Sequence, residues 1–172
     1  MKVFKEEQGF TQGWLHLLLA VSFIVPLVLI TNEVIEKGWS NSDARVGFIV
    51  VIISVLLTYG FIFSLKLRTR IDETGINFRF LPFHLSNKHI AWSELKSAYV
   101  RNYQAISEYG GWGMKGGKLW NKSKGVSYTT KGDVGIQLEL QSGKKILLGT
   151  QRVEEAKQVL KTYQHKFMSD EN

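Results

Sequence analysis

The sequence predicts an α+β membrane protein, in which a two-helix transmembrane hairpin precedes a bent antiparallel β-sheet or partly open barrel capped by a C-terminal α-helix. Three patterns in the 172 residues lead to this prediction: two long uncharged apolar segments, a period of two in the later segments, and one amphipathic helix near the end. We therefore divide the chain into residues 1–65, with the N-terminal segment and hairpin, and residues 66–172, a separate domain.

Each apolar segment is long enough to cross a bilayer as a helix. Residues 14–30 and residues 46–65 contain no formally charged side chain. At about 1.5 Å per residue they extend roughly 26 and 30 Å, and a bilayer has a hydrocarbon core of about 30 Å. We predict spans at about residues 12–31 and 46–65, joined by a loop at residues 31–45.

Two other interpretations of these segments are disfavoured. A cleaved signal peptide has a shorter apolar core, and no small-x-small cleavage site follows the first segment. A buried core helix that is apolar all round needs a larger protein to surround it. His16 is more consistent with an interfacial side chain beside Trp14 than with part of a proton path.

The charge is unevenly distributed along the chain. The formal net charge is +7, of which residues 66–172 carry +8 and residues 1–65 carry −1. Lys66, Arg68 and Arg70 follow the second span directly, whereas the loop between the spans is slightly acidic. The positive-inside rule therefore places both termini in the cytoplasm, with the chain crossing the cell (inner) membrane twice. This topology and nearby anionic lipid explain the basic excess better than nucleic acid does.

The domain after the spans alternates apolar and polar residues, which is typical of strands. The predicted strands number six or seven; those with clear bounds are residues 68–72, 76–81, 88–92, 97–103, 134–141 and 144–148. Thr150 is a predicted N-cap for the last helix, and Glu154 and Glu155 suit its first turn. Apolar residues then recur at helical spacing at Val153, Ala156, Leu160, Tyr163 and Phe167.

Several short motifs resemble those of a known group of proteins. They are residues 90–95 (IAWSEL), residues 101–103 (RNY), residues 108–113 (EYGGWG) and residues 149–151 (GTQ) with Glu154. With them, nearly the whole chain resembles small bacterial membrane proteins that have two spans followed by a pleckstrin-homology-like (PH-like) domain. The resemblance implies this fold and topology, and no particular activity. Eukaryotic PH domains often bind phosphoinositides through a basic first hairpin, whereas residues 73–75 (ETG) are acidic, so that role does not carry over.

Residues 105–133 contain seven glycines, two tryptophans and five lysines. Residues 111–116 match G-x-G-x-x-G, but no helical pattern follows, so nucleotide binding is disfavoured. We predict that residues 108–113 are structural and that a long, mobile basic loop at residues 115–131 is exposed. The candidate membrane- or anion-binding residues are Trp112, Lys115, Lys118, Trp120, Lys122, Lys124 and Lys131. In the alternative interpretation, Tyr109 and Trp112 pack on the sheet and the glycines permit tight bends.

No catalytic, cofactor or metal site is predicted. The chain has no cysteine, which excludes disulfides, thiolate zinc sites, iron–sulfur clusters and a cysteine nucleophile. His84 and His89 have no third ligand nearby in the sequence. The side chains of Asp72 and Glu73 point apart on a strand, and no G-x-S-x-G motif occurs.

We therefore expect a protein that is not an enzyme. It would present its cytoplasmic domain as a protein-interaction or scaffolding module that could self-associate. The alternative is an anionic lipid-headgroup or small-anion binding protein that uses the basic loop. The expected partners are the lipid bilayer and a protein partner or a second copy, with anionic lipid in the alternative and no nucleic acid.

Overall fold

A computed structural model describes residues 2–116 and 125–167. Four predicted site residues lie outside the described residues: Lys118, Trp120, Lys122 and Lys124. The chain separates into two compact units, each described by itself below. One unit consists of residues 10–64, and the other combines residues 1–9 with residues 65–172.

The helical unit is an antiparallel hairpin of α1 (Gly13–Lys37) and α2 (Ser42–Ser64). His16, early in α1, stacks on Phe63, late in α2, with ring centroids 5.7 Å apart. Nearer the turn, Gly47 lies so close to Ile30 that a Cβ on Gly47 would be 2.7 Å from the Ile30 side chain. A glycine there lets the two helices approach closely, as small residues do in membrane helix pairs.

The connection between α1 and α2 is shorter than the predicted loop at residues 31–45. Glu33 and Lys37, whose charges suggested a loop, continue α1 and form an ion pair at 2.6 Å. Gly38 ends α1 in a backbone conformation with φ of 78°. The Asn41 side chain then accepts hydrogen bonds from two first-turn N–H groups of α2, at 3.0 and 3.1 Å.

Both helices are long and apolar enough to cross a membrane. Their most apolar stretches contain no buried residue, and many of their large side chains are exposed, including Leu17, Leu29, Leu56 and Leu57. Pro26 lies inside α1 without interrupting it. Helix α1 therefore begins within a few residues of the predicted start of the first span, and α2 ends within a few residues of the predicted end of the second span.

The second unit begins with a four-stranded antiparallel sheet in the order β1-β2-β3-β4. Its strands are β1 (Phe4–Gly9), β2 (Lys66–Asp72), β3 (Gly75–Leu81) and β4 (Lys88–Ala91). The hairpin between β2 and β3 was predicted, and Asp72 pairs with Gly75 across its turn. A short 3-10 helix (Trp92–Glu94) follows β4.

The second sheet has the order β5-β8-β9-β7-β6. Its strands are β5 (Leu95–Asn102), β6 (Gly113–Gly116), β7 (Val126–Thr129), β8 (Val134–Leu140) and β9 (Lys145–Gly149). Helix α3 (Ala105–Tyr109) lies between β5 and β6, and α4 (Val153–Tyr163) follows β9. The sheet is mixed rather than purely antiparallel, because β7 and β9 are parallel. Strands β6 and β7 were not predicted, since each has only four residues and β6 is rich in glycine.

Four of the five residues of the predicted apolar stripe are buried, with Ala156, Leu160, Tyr163 and Phe167 each less than a tenth exposed. Val153 is partly buried, and Phe167 lies beyond the end of α4. The predicted N-cap was wrong: Arg152 occupies that position. The Thr150 hydroxyl accepts a hydrogen bond from the Arg152 N–H at 3.2 Å and donates one to β1. A hydroxyl two residues before the helix can still serve the backbone of the turn that leads into it.

Strand β1 lies at residues that the sequence analysis assigned to the segment before the first span. Phe4 is buried, and the Gln8 side chain donates a hydrogen bond to the Gly149 carbonyl at 2.7 Å. The Glu6 carboxylate accepts hydrogen bonds from the Thr150 hydroxyl and the Gln151 N–H, at 2.7 and 2.8 Å. Strand β1 therefore pairs with the first sheet and also bonds to the end of the second.

Candidate functional site

Three basic residues that follow the second span point the same way on β2. Lys66, Arg68 and Arg70 alternate with Leu67 and Ile71, which are fully buried. Because side chains on a strand alternate between the two faces of the sheet, all three basic side chains project from the face opposite the core. The sequence predicted these residues as a basic flank, and the structure arranges them as one row.

Neighbouring strands extend this row into a basic surface. Lys5 on β1 lies directly opposite Arg70, and Arg79 on β3 lies directly opposite Arg68. A groove of about 770 Å³ runs over this face. We call it the basic groove; it is lined by Lys5, Glu6, Glu7, Arg68, Thr69, Arg70, Asp72, Asn77, Phe78, Arg79 and Asn87.

Two carboxylates hold basic side chains of this face in place. Glu7 accepts a hydrogen bond from Arg68 at 2.6 Å and lies 3.1 Å from the Lys66 ammonium. Hydrogen bonds from Lys66 and then Arg68 lower the pKa of Glu7. Asp72 accepts hydrogen bonds from the Thr74 hydroxyl at 2.6 Å and from Arg70 at 2.7 Å. The Thr74 bond and then the Arg70 bond outweigh burial and lower the pKa of Asp72 to about 2.

The glycine-rich segment begins as a packed structure. The Arg101 guanidinium binds the Glu108 carboxylate at 2.9 Å and the Tyr109 hydroxyl at 3.1 Å. Tyr109 is buried, and the partly buried Trp112 packs against the same cluster and donates its indole N–H to the Gly132 carbonyl at 2.8 Å. These contacts favour the interpretation in which Tyr109 and Trp112 pack on the sheet.

The other described residues of the predicted basic loop lie on or beside strands. Lys115 is a partly buried residue of β6, and β6 pairs with β7 from Gly113 to Gly116. Lys131 follows β7, and its carbonyl accepts a hydrogen bond from the Gln151 side chain at 3.1 Å. Residues 115–116 and 126–129 are therefore strand rather than the predicted loop. Glycine at positions 113 and 116 permits the positive φ angles of 115° and 99° found there.

A second surface lies where β5 meets α4. Strand β5 forms an edge of its sheet, and among the described residues only β8 pairs with it. Beside it is a groove of about 280 Å³, which we call the edge groove. It is lined by Ala98, Tyr99, Val100, Lys157, Leu160, Lys161, Gln164 and Phe167.

His84, in the connection between β3 and β4, and His89, on β4, have different surroundings. His84 is buried, accepts the Phe80 N–H at 3.3 Å on Nδ1 and lies edge-on to Tyr128 at 5.1 Å. Burial, and then the nearby charge of Lys88, lowers the pKa of His84. His89 is exposed and hydrogen-bonded to an asparagine. In the part of the chain that the structure describes, no group of three or more His, Asp and Glu side chains could hold a metal ion.

The buried His84 makes stability depend on pH near neutrality. Its pKa in the folded protein lies below the ordinary value of 6.5, so the unfolded chain binds more protons between these two values. The contribution of His84 to stability is therefore fully present above pH 6.5, and it is lost as the pH falls toward the pKa of His84 in the folded protein. We expect His84→Gln, which keeps a polar side chain without titrating, to flatten this part of the profile, measured as melting temperature of the full chain in detergent.

The exposed histidine provides the matched control for this prediction. His89→Gln replaces an exposed histidine on β4 and leaves the buried His84 in place. Its melting temperature should follow the wild-type profile from pH 7 down to about pH 5, where carboxylates begin to titrate. Equal flattening in both variants would show that burial of His84 is not the cause.

Comparison with known proteins does not identify the chain: no protein-family model, curated protein or solved structure matches it. The resemblance to two-span proteins with a PH-like domain therefore stays a prediction based on the quoted motifs. Function has to be inferred from the two surfaces and the apolar hairpin.

Proposed function

We propose that this protein is an integral membrane protein that presents a PH-like domain in the cytoplasm as a docking module for an extended segment of a partner protein. The observation that carries the proposal is the edge of β5 beside the edge groove, where β8 is the one strand of the described residues that pairs with β5. An exposed strand edge offers unpaired backbone N–H and C=O groups to which another chain can add as a further strand.

Membrane insertion is supported by the exposed apolar surface of α1 and α2. Such a surface is unfavourable in water and favourable in lipid, where helices satisfy their own backbone hydrogen bonds. Strand pairing supports the hairpin topology. Gly9, which precedes α1, pairs with Lys66, which follows α2, so both must lie on one side of any membrane that the helices cross. The basic residues of β2 then favour the cytoplasmic side.

The order of elements supports a PH-like domain. A four-stranded meander is followed by a second sheet and then by a single C-terminal helix with a buried apolar stripe. In this arrangement the two spans form the connection between the first and second strands of the domain, and α3, β6 and β7 are an insertion after β5.

The chemistry of the edge groove indicates what kind of segment would bind. Ala98 and Val100 are only partly buried on the strand side, and the other side is lined by Leu160 on α4 and by Phe167 after it, which are each less than a tenth exposed. Lys161, exposed on α4, adds positive charge beside these apolar residues, whereas Lys157 is paired with Glu154 at 2.8 Å. An extended segment would pair with β5, place an apolar side chain beside Ala98 and Val100 and bring a carboxylate to Lys161.

Site-specific photo-crosslinking in the native membrane tests the proposal. A benzophenone amino acid replaces Tyr99, which lies in the edge groove and is 43% exposed. We expect one defined adduct whose cross-linked peptide is an extended acidic and apolar segment. Ala98→Arg, which puts a long charged side chain into the groove, should abolish that adduct while the domain stays folded by circular dichroism.

The matched control is the same photoreactive group in place of Ile106, an exposed apolar residue on α3. Equal adducts from both positions would indicate nonspecific capture and overturn the proposal. The absence of any adduct at Tyr99 would do the same. An adduct with the mass of two chains would identify the partner as a second copy of this protein.

A further inference from the structure

The basic groove on the outer face of the first sheet has no role in the docking function proposed for β5. It combines cations from three strands: Lys5 on β1, Arg68 and Arg70 on β2, and Arg79 on β3. Lys66 continues the row on β2. Two carboxylates, Glu7 and Asp72, bind three of these five cations, namely Lys66, Arg68 and Arg70.

Two pairs of like charges lie directly opposite each other on this face. Lys5 faces Arg70 across β1 and β2, and Arg68 faces Arg79 across β2 and β3. Directly opposed like charges destabilise a sheet. A sheet that places two such pairs side by side in a concave surface gains stability when an anion binds between them, because the anion relieves both repulsions.

The three guanidinium groups are held in the same way. Each donates its Nε–H to a protein oxygen: Arg68 to Glu7 at 2.6 Å, Arg70 to Asp72 at 2.7 Å, and Arg79 to the His84 carbonyl at 2.9 Å. None of the three makes a further hydrogen bond from its Nη groups to the described part of the chain. These side chains are therefore oriented, while the two terminal nitrogens of each stay available for a ligand.

The acidic residues that line the groove are bonded to other protein groups, which reduces their repulsion of a bound anion. Glu7 and Asp72 are each bonded to the basic side chains they hold. The Glu6 carboxylate bonds to the Thr150 hydroxyl and the Gln151 N–H. The groove therefore presents mainly the N–H donors of arginine guanidinium groups to a ligand. The planar arrangement of these donors matches the oxygens of a phosphate group.

We propose that the basic groove binds the phosphate of an anionic lipid headgroup, with the Nη groups of Arg68, Arg70 and Arg79 as donors. Lipid is the source because only one residue, Leu65, separates the end of the apolar helix α2 from the start of β2. The inference rests on the membrane insertion proposed above and is independent of partner docking at β5. Bound headgroups would hold the domain against the membrane surface.

The test uses the full chain purified in a non-ionic detergent. Native mass spectrometry measures binding of phosphatidylglycerol, which is anionic, and of phosphatidylcholine, which is zwitterionic. We expect the wild-type protein to prefer phosphatidylglycerol, and R68Q/R79Q to weaken its binding by about tenfold or more, since two charge-assisted bonds are lost. R68K/R79K keeps the charge without the forks and should lie between the two.

A matched variant removes two positive charges elsewhere. Lys96 and Lys144 are exposed residues of the same unit outside the basic groove, and K96Q/K144Q should bind phosphatidylglycerol as the wild type does. An equal loss in this variant would show that net charge alone attracts the lipid and would overturn the proposal. So would unchanged binding in R68Q/R79Q when its melting temperature matches the wild type.

Titration with inorganic phosphate separates the two sources of the same group. Displacement of phosphatidylglycerol only at far higher phosphate concentrations supports the lipid, whereas tighter binding of free phosphate would overturn the lipid assignment. Alkaline extraction of native membranes tests the anchor separately. Release of the protein by alkali would contradict membrane insertion, whatever the groove binds in detergent.

Discussion

Deletion of residues 2–9 is expected to unfold the domain at residues 65–172, although these residues precede both spans. The deletion removes all of β1, including the burial of Phe4 and the pairing of six residues with β2. Burying one phenylalanine contributes about 1.5–3 kcal/mol, and each internal hydrogen bond contributes about 0.5–1.5 kcal/mol. Their sum approaches the 5–15 kcal/mol by which a typical domain is stable.

The position of the lost hydrogen bonds increases this effect. Strand β1 bonds to the first sheet along its length and to the second sheet through Gln8. Two more hydrogen bonds join this segment to α4 and its N-cap. The Tyr163 hydroxyl, on α4, donates to the carbonyl of Lys2, which precedes β1, and Arg152, which precedes α4, donates to the Lys5 carbonyl, both at 2.7 Å. Deleting residues 2–9 leaves the buried Gly149 carbonyl without its donor, at about 1–3 kcal/mol, and removes further partners from the partly buried Tyr163 hydroxyl and from the exposed Arg152.

Hydrogen exchange of the full chain in detergent measures this outcome. In the deletion variant the amides of β2 and β9 should exchange rapidly, and trypsin should cleave within residues 65–167. Phe4→Ala should weaken protection, because Phe4 is 3% exposed, whereas Val3→Ala should not, because Val3 is 47% exposed. Undiminished protection of β2 in the deletion variant would contradict an essential role for β1.

The features that could be predicted from the sequence are those with a strong local pattern. The two apolar segments became α1 and α2, the alternation around residues 73–75 became the hairpin of β2 and β3, and the apolar stripe became α4. Strand β1 has no such pattern, since charged residues and glutamine separate Phe4 from the first span. It becomes a strand because β2, about sixty residues later, provides its pairing partner.

The residues of the candidate surfaces likewise divide into those that a local sequence pattern could predict and those that it could not. Lys66, Arg68 and Arg70 could be found because they stand together in the sequence after an apolar segment. Arg79 alternates with buried phenylalanines on a predicted strand, but the predicted three-residue turn at residues 73–75 would place Phe80 opposite Arg68. The turn has two residues, because Asp72 pairs with Gly75, and it therefore places Arg79 there. Lys5 could not be found, because its position depends on β1. The edge groove depends on which strand lies at the edge of the second sheet, and no local sequence pattern predicts the order of strands in a sheet.

Trp92 is expected to be the single side chain whose truncation most destabilises the domain. Its ring stacks on Tyr163 at 5.2 Å and on Phe167 at 5.5 Å between centroids, and it is 4% exposed. Its indole N–H donates to the Asp72 carbonyl at 3.0 Å, at the turn between β2 and β3. Trp92 thus connects the first sheet to α4 and to the residues that follow it.

Two substitutions separate the contributions of the ring and the hydrogen bond. Trp92→Ala removes the stacked ring and should lower the free energy of unfolding by about 3–5 kcal/mol. Trp92→Phe keeps an aromatic ring but leaves the Asp72 carbonyl without its donor, for a loss of about 1–3 kcal/mol. Pulse proteolysis of the full chain in urea and detergent measures both. Ile106→Ala, at a site that is 74% exposed, should stay within about 0.5 kcal/mol of the wild type.

The relative loss of unfolding free energy in Trp92→Ala and Trp92→Phe distinguishes aromatic packing from the hydrogen bond as the main contribution of Trp92. If Trp92 acts mainly by packing α4 against the first sheet, Trp92→Ala must exceed Trp92→Phe by the value of the stacked aromatic surface. Similar losses in the two variants would mean that the hydrogen bond to Asp72 dominates and that the aromatic contacts with Tyr163 and Phe167 add little. A loss below about 1 kcal/mol in Trp92→Ala would contradict burial of this side chain altogether, because truncating a buried tryptophan leaves a cavity that the surrounding structure fills only in part.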